Sequence, residues 1–596
     1  MEFSKKKKSL YKTEPPTQEN NFVKEGLKLS AETVSGNGAK KYSTSNDAFV
    51  DNFAMIANFK APRDYAEVSK DMYKLWSINP KKCLQLAVYI RLITRETQIV
   101  LPNETITLDV QRGQGLKNEG IMRMLWLAMH HKPTFMANMP YFIAADSWKD
   151  VFEMMSLDLQ YHGWEGRKLD WNFMRKIILA GLANGHTSEL VKKYLPTIRS
   201  MKECKTVESQ ARTIIGQYLA SCIYGKDKKS DKETADSRAA QRRYRKLKQS
   251  GTAHTWQQLI SQKKLLELDF DTIHGRALSL LVGSKFLKNQ GLVEKYSKWI
   301  SGRKVAKYTG FVFELFQPLG ESYRTNRLEE YREQTINAQF NGLVETGRQN
   351  LNQNSKLLVV RDISGSMTSK AVGTNMSSYA IGKAMALYFS ALLDGPFKDA
   401  YATFSSTCKL CTWKGKTPIE KWANDTDGNF GNTNLLSVAD MFVKLRSTMK
   451  ISENEFPTGA LLVSDGEFDS ARSWGASVTN FTAFRQRLLK GGFSKEYVDN
   501  FKLILWDLPN GYYGGGLRPK FEDFADAPNN FYISGYDPAA VAFILGTKPF
   551  KATPKNATEL FNAAMGQELL NRLVVSERKV VNKTKKNTNF KKNKYD

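Results

Sequence analysis

The sequence predicts an α + α/β protein, a helical array followed by a doubly wound domain with a parallel sheet. Three observations predict it. Apolar residues recur at helical spacing between about residues 47 and 350. Short apolar strands then alternate with helices between residues 356 and 548, the pattern of a parallel sheet layered with helices. A D-x-S-x-S motif stands directly after the first of those strands.

Residues 1–46 are rich in Lys, Ser, Thr, Asn and Gly with little periodicity, and they read as a flexible basic arm. Tyr65, Val68, Met72, Leu75 and Trp76 then fall on one helical face, and similar amphipathic runs follow at 84–93, 120–129, 148–157, 171–182, 207–224, 273–287 and 328–349. Strand-like alternation is scarce there, so residues 47–350 are expected to be all-helical, built of stacked helix pairs. The period switches afterwards. Strands are expected at 357–361, 400–404, 461–464, 503–506 and 531–533, with helices such as 376–393, giving an α/β domain over 351–550. Residues 551–596 are expected to form a helix and a basic tail.

The motif is Asp362-Ile363-Ser364-Gly365-Ser366-Met367. A carboxylate and two hydroxyls spaced two residues apart at a strand end turn toward one point, which suits a hard cation. Mg2+ (or Mn2+) asks for near-octahedral oxygen ligation and keeps several waters. Two later segments supply further oxygens: Thr433 from the loop 431–434, and Asp465 where the apolar run 461–464 ends. These lie 71 and 103 positions after Asp362, yet the strand ends of an open α/β sheet converge on one crevice. Ser364, Ser366 and Thr433 are expected as hydroxyl ligands, with Asp362 and Asp465 acting mostly through water. The bland alternative is that Asp and Ser only cap a following helix.

Enzymatic chemistry is not expected. A phosphoaspartate enzyme would want a second carboxylate where Ser364 stands, Gly382-Lys383 lacks the upstream glycine of a phosphate loop, and no carboxylate or histidine cluster suggests a two-metal nuclease. Five scattered cysteines argue for a reducing compartment, and Cys408-x-x-Cys411 reads as a strand. No apolar stretch approaches about 18 residues and the start is a lysine run, so no membrane association is expected and the location is expected to be cytoplasmic. High Lys and Asn usage hints at an AT-rich genome, which would make that a host cytoplasm or a virion.

Charge is uneven. Residues 356–550 carry 21 basic and 19 acidic side chains, whereas residues 1–355 carry 56 and 37, and residues 551–596 carry 11 and 4. The positive field belongs to the parts outside the expected metal domain, and a polyanion is its natural partner. Three tracts stand out: Lys5 to Lys8; Arg238, Arg242, Arg243, Arg245, Lys246 and Lys248; and the tail from Arg578 to Lys594.

The Asp362, Thr433 and Asp465 segments resemble the metal-ion-dependent adhesion site (MIDAS) of von Willebrand factor A domains. Behind a helical array, they resemble the TROVE plus von Willebrand A architecture of Ro-type ribonucleoproteins. A closer likeness is to an allied family, the domain of unknown function numbered 2828. It rests on Asp109-Val110-Gln111-Arg112-Gly113-Gln114-Gly115, Met139-Pro140-Tyr141-Phe142, Ser147-Trp148-Lys149-Asp150, Arg242-Arg243-Tyr244-Arg245-Lys246 and Ser464-Asp465-Gly466-Glu467-Phe468-Asp469. The resemblance implies a HEAT-like helical-repeat ring or horseshoe that binds small structured or single-stranded RNA, flanked by a metal-binding domain that grips an acidic protein ligand. Arg112, Lys149, Arg242, Arg243, Arg245 and Lys246 are the RNA-binding residues it implies. The basic tract contains Tyr244 and neighbours Trp256, which offer rings for base stacking, although an aromatic on a helix is more often core; for Ser147 to Asp150 the favoured reading is structural, Trp148 as core and Lys149 and Asp150 as a helix-surface pair. The alternative function is a metal-dependent protein-interaction or structural module, of viral or phage origin, without specific RNA binding.

Overall fold

A computed structural model of the chain describes residues 32–34, 37, 39–57, 63–101, 103–224, 233–251, 255–273, 275–308, 310–320, 328–349, 356–372, 374–425, 430–471, 478–508, 510, 521, 526–534 and 554–576. The chain divides into two compact units, each discontinuous in sequence: residues 62–264 with 565–596, and residues 1–61 with 265–564. These cuts differ from the boundaries drawn on sequence at 47, 351 and 551. Residues 265–349 group with the sheet that follows them.

The first unit is rich in helices. Tyr65–Ile78 buries Val68, Met72 and Leu75, and the Asp64 side chain accepts the Glu67 amide at its start. Asn79 ends that helix and begins Pro80–Arg91, where its side chain accepts the Lys82 amide and Pro80 takes the first position. Lys117–His130 packs on both, and Val207–Tyr224 packs on Trp148–His162 and Glu233–Ser250. Arg91 ties this core by a buried ion pair with Asp150, Nη2 to Oδ1 at 3.1 Å. The unit is not all-helical: Arg95–Val100 and Thr105–Gln111 form an antiparallel hairpin. Its alternation escapes notice because few apolar side chains carry it; Thr97, Ile99, Leu108 and Gln111 are the buried positions. The late residues close this unit. Gln567 clamps the Arg112 main chain, accepting its amide at 2.6 Å and donating to its carbonyl at 2.8 Å.

The second unit holds a six-stranded sheet, ordered Asn530–Ser534, Lys502–Asp507, Gly459–Ser464, Leu357–Asp362, Ala400–Phe404, Cys408–Thr412. All neighbours are parallel except the last pair, so the cysteine strand is an antiparallel edge. Leu357–Asp362 and Gly459–Ser464 are buried at every position, as near-continuous apolar runs in a covered parallel sheet must be. Helix Ser378–Leu392 lies across three of these strands, and Ser377 caps it by accepting the Ala380 amide at 3.2 Å.

The expected flexible arm carries regular structure over part of its described length. Glu32–Val34 pairs antiparallel with Lys40–Tyr42, and helix Ala48–Ala57 packs on the Asn530–Ser534 strand. The Lys41 side chain is fully buried because its ammonium donates to the Gly466 carbonyl, a contact that composition alone does not announce. Lys5 to Lys8 and the tail from Arg578 lie outside the described residues. Among the described residues no helix is long and apolar enough to cross a membrane.

Candidate functional site

Strand order decides where the site forms. The strand following Leu357–Asp362 in sequence, Ala400–Phe404, lies on one side of it, and the later Gly459–Ser464 lies on the other. Connections reverse direction at that strand, and the crevice beyond the carboxyl ends at such a switch point is where open α/β sheets bind ligands. Asp362 is its last residue, and Asp465 follows the neighbouring strand directly.

The site is built from short hydrogen bonds. Asp362 Oδ1 accepts the Ser364 amide at 2.8 Å, folding the chain back so that Ser364 Oγ and Ser366 Oγ stand 3.2 Å apart. Oδ2 accepts the Ser464 hydroxyl at 2.5 Å. Asp465 accepts the Glu467 amide at 3.2 Å and the Asn510 side-chain amide at 2.9 Å, while the same Asn510 nitrogen donates to the Ser366 carbonyl at 3.0 Å. The Thr433 loop is held at two points: Gly365 N donates to Gly431 O at 3.2 Å, and Asp469 N donates to Thr433 O at 2.9 Å. Asp362, Ser364, Ser366, Thr433 and Asp465 are all buried. The structure therefore brings together the three segments that the sequence singles out. Sequence reasoning misses Ser464 and Asn510; Ser464 is legible as the residue before Asp465, whereas nothing local marks Asn510.

Burial, and then the neighbouring Asp465 carboxylate, push the Asp362 carboxyl up to about 7. Two buried carboxylates in mutual repulsion are the setting that a divalent cation neutralises. The serine pair fits it too: adjacent oxygens of an octahedron with bonds of about 2.1 Å lie about 3.0 Å apart. Both carboxylates are already committed to amide and hydroxyl donors, which suits contact with a cation through water. Among the described residues no three His, Cys, Asp or Glu side chains gather to hold a metal, so hydroxyls would have to supply the remaining ligands.

Behind Asp362 lies a second polar cluster that the sequence did not disclose. Arg361 alternates to the other side of the strand, where its guanidinium meets the Asp425 carboxylate. Lys383 donates to the Asp425 carbonyl at 2.8 Å, and its ammonium sits 4.6 Å from the Trp422 ring centroid. Burial holds the Lys383 ammonium down at about 8, against the opposing pull of Asp425.

The residues expected to bind RNA are divided by burial. On helix Glu233–Ser250, Arg242, Arg243, Arg245 and Lys246 are exposed, while Tyr244 between them is fully buried and donates its hydroxyl to Pro196 O at 3.0 Å. Tyr244 is thus core and not a stacking surface. Arg112 is 2% exposed, enclosed where the hairpin ends, and is not presented to a ligand on the surface. Lys149 is exposed beside Lys117 and Arg212, both of which pair with Glu153, and Trp148 is core. Trp256 is half-buried. Cys408 and Cys411 are free thiols, and burial pushes that of Cys408 up to about 12, far from the thiolate that metal or redox chemistry requires.

Residues 356–591 match a family model described as a domain of unknown function, DUF7788. The match contains all five candidate metal ligands and every strand of the six-stranded sheet. No curated protein matches the chain.

Proposed function

We propose that the chain is a non-catalytic RNA-binding component of a ribonucleoprotein. In this reading the helix-rich unit, a HEAT-like array of the TROVE kind, holds RNA. The six-stranded sheet is a von Willebrand A-type domain whose Mg2+ (or Mn2+) site grips an acidic residue of a partner protein. The observation that carries the reading is the partition of charge. Residues 62–264 with 565–596 hold 43 basic and 23 acidic side chains, a net +20 of the chain's +28, although they are well under half of its length. Within that unit four cations of one helix face solvent with their tyrosine turned inward, as a phosphate-contacting surface requires.

Bound at Asp362, Ser364, Ser366, Thr433 and Asp465, Mg2+ would supply a Lewis-acidic corner for a partner carboxylate; the few anionic groups there leave the cation electrophilic. The purified full chain is expected to carry RNA, raising its absorbance at 260 relative to 280 nm, and to bind labelled RNA with an affinity that falls steeply with salt. A nucleic-acid-free preparation that binds neither single-stranded nor structured RNA at low salt overturns the reading.

A further inference from the structure

Resting on that reading, a second feature of the helix-rich unit says how RNA would be held. Two of its exposed aromatic rings belong to one cluster, apart from Trp164, which lies against Trp171 and Tyr218. Tyr73 is 53% exposed and Tyr161 48%. Between them the rings connect: Tyr161 lies 5.6 Å from Tyr65, and the Tyr65 hydroxyl reaches Met129 Sδ at 3.3 Å. The next residue, His130, is exposed and sits 5.0 Å from the Tyr73 ring. One turn beyond Tyr73, Trp76 stacks on His131 with centroids 3.9 Å apart and planes 25° from parallel. Buried Trp126 backs the group, meeting Tyr73 edge-on at 5.1 Å.

Such a ledge is costly to expose without a use, since each ring leaves apolar area in water. We infer that Tyr65, Tyr73, Trp76, His130, His131 and Tyr161 form a platform on which the bases of a single-stranded RNA stack. Charge selects this occupant. Lys70 and Lys74 are exposed beside Tyr73 on the same helix; of the acids close by, Asp64 caps the helix, Asp71 pairs with Arg63 at 2.7 Å, and Glu67 lies 4.0 Å from the same guanidinium. The unit as a whole repels cations and attracts phosphate. Burial and the adjacent imidazole push His131 down to about 4, and burial lowers His130, so the surroundings disfavour charge on either ring and leave their π-faces. A duplex hides its base faces, so the platform discriminates single strands from paired ones and tolerates any sequence.

The test uses the full chain with a labelled oligouridine of about 12 nucleotides and a blunt RNA duplex, read by fluorescence anisotropy. Tyr73→Ala and Tyr161→Ala are each expected to weaken oligouridine binding about tenfold, with the duplex affinity and the salt slope unchanged. Tyr73→Phe, which keeps the ring, is expected to bind as the parent does. If the parent binds RNA and both alanine variants match it, the platform is refuted while the RNA-binding reading stands. Equal loss for single strand and duplex also refutes it, because that marks a structural defect. A parent that binds neither RNA brings down both.

Discussion

Arg361 and Asp425 meet in a buried two-pronged ion pair, Nη1 to Oδ2 at 2.7 Å and Nη2 to Oδ1 at 3.3 Å. Tyr401 donates to the same carboxylate at 2.9 Å, and the Arg361 guanidinium lies over the Tyr379 and Tyr401 rings at 5.2 and 5.6 Å. The pair fixes the chain eight positions before Thr433 and stands one residue before Asp362, so it braces both sides of the candidate metal site. Asp425→Ala leaves two buried cations uncompensated and is expected to cost about 3–5 kcal/mol in urea unfolding, with a weaker Mg2+ response. Arg361→Met with Asp425→Leu removes both charges and should recover much of that loss. An Asp425→Ala protein as stable as the parent would show that the pair does not brace the fold.

The raised Asp362 carboxyl gives a pH signature. In the folded chain it holds its proton up to about 7, whereas unfolded it releases it near the ordinary value of 3.8. The folded state binds more protons across that window, so in EDTA stability should be highest below the window and fall as pH rises from about 4 through about 7. Millimolar Mg2+ should restore stability at the alkaline end, where proton and metal no longer compete. Thermal melts across this range read the effect, and Asp362→Asn should flatten the EDTA curve.

Asp362→Ala with Ser364→Ala should abolish the Mg2+-dependent rise in melting temperature while leaving far-ultraviolet circular dichroism intact. Partners captured through the site should also be lost on chelation. Binding of Mg2+ by the double variant as by the parent would remove the metal assignment.

Asn510 bridges the Ser366 main chain and the Asp465 carboxylate without being an expected ligand. Groups that orient ligands typically matter by about 10–100-fold in metal affinity. Asn510→Ala is expected to fall in that range by calorimetric titration, and an unchanged affinity would reduce the residue to a loop contact.

Reversal of Arg242, Arg243 and Arg245 to Glu should weaken RNA binding and lower the salt slope by about one for each phosphate that the variant no longer neutralises. Tyr244→Phe, in contrast, loses a buried hydrogen bond and should cost about 1 kcal/mol of stability, with RNA affinity untouched.

The strands were legible because each buried parallel strand is a short apolar run with a polar residue at or just past its end, as Asp362 and Asp465 are. Helices with a full apolar stripe were legible for the same kind of reason, as Val68, Met72 and Leu75 illustrate. The hairpin at 95–111 was not, since its inward positions include Thr97 and Gln111, which look like surface residues until packing is known. Arg112 and Tyr244 misled in opposite ways: the one cation of the segment 109–115 is enclosed, and the aromatic inside a cationic run is the anchor that holds the run in place. No local pattern can reveal Asn510 or the Arg361–Asp425 pair, because the partners lie 45 to 144 positions away in sequence.

Lys41 reaches Gly466, Tyr42 exchanges main-chain hydrogen bonds with Phe521, and Gln567 closes on Arg112. During synthesis, then, the local hairpin of Glu32–Val34 and Lys40–Tyr42 must wait for most of the described chain to leave the ribosome before Tyr42 can bridge to Phe521, and the helix-rich unit waits longer still for its closing residues. Neither unit is a stretch that one cut could release intact. A version trimmed at residue 47, convenient as the arm's apparent end, would remove both short strands and take a buried lysine from the loop that follows Asp465, and folding slowed by such distant pairings leaves sheet edges exposed to aggregation meanwhile.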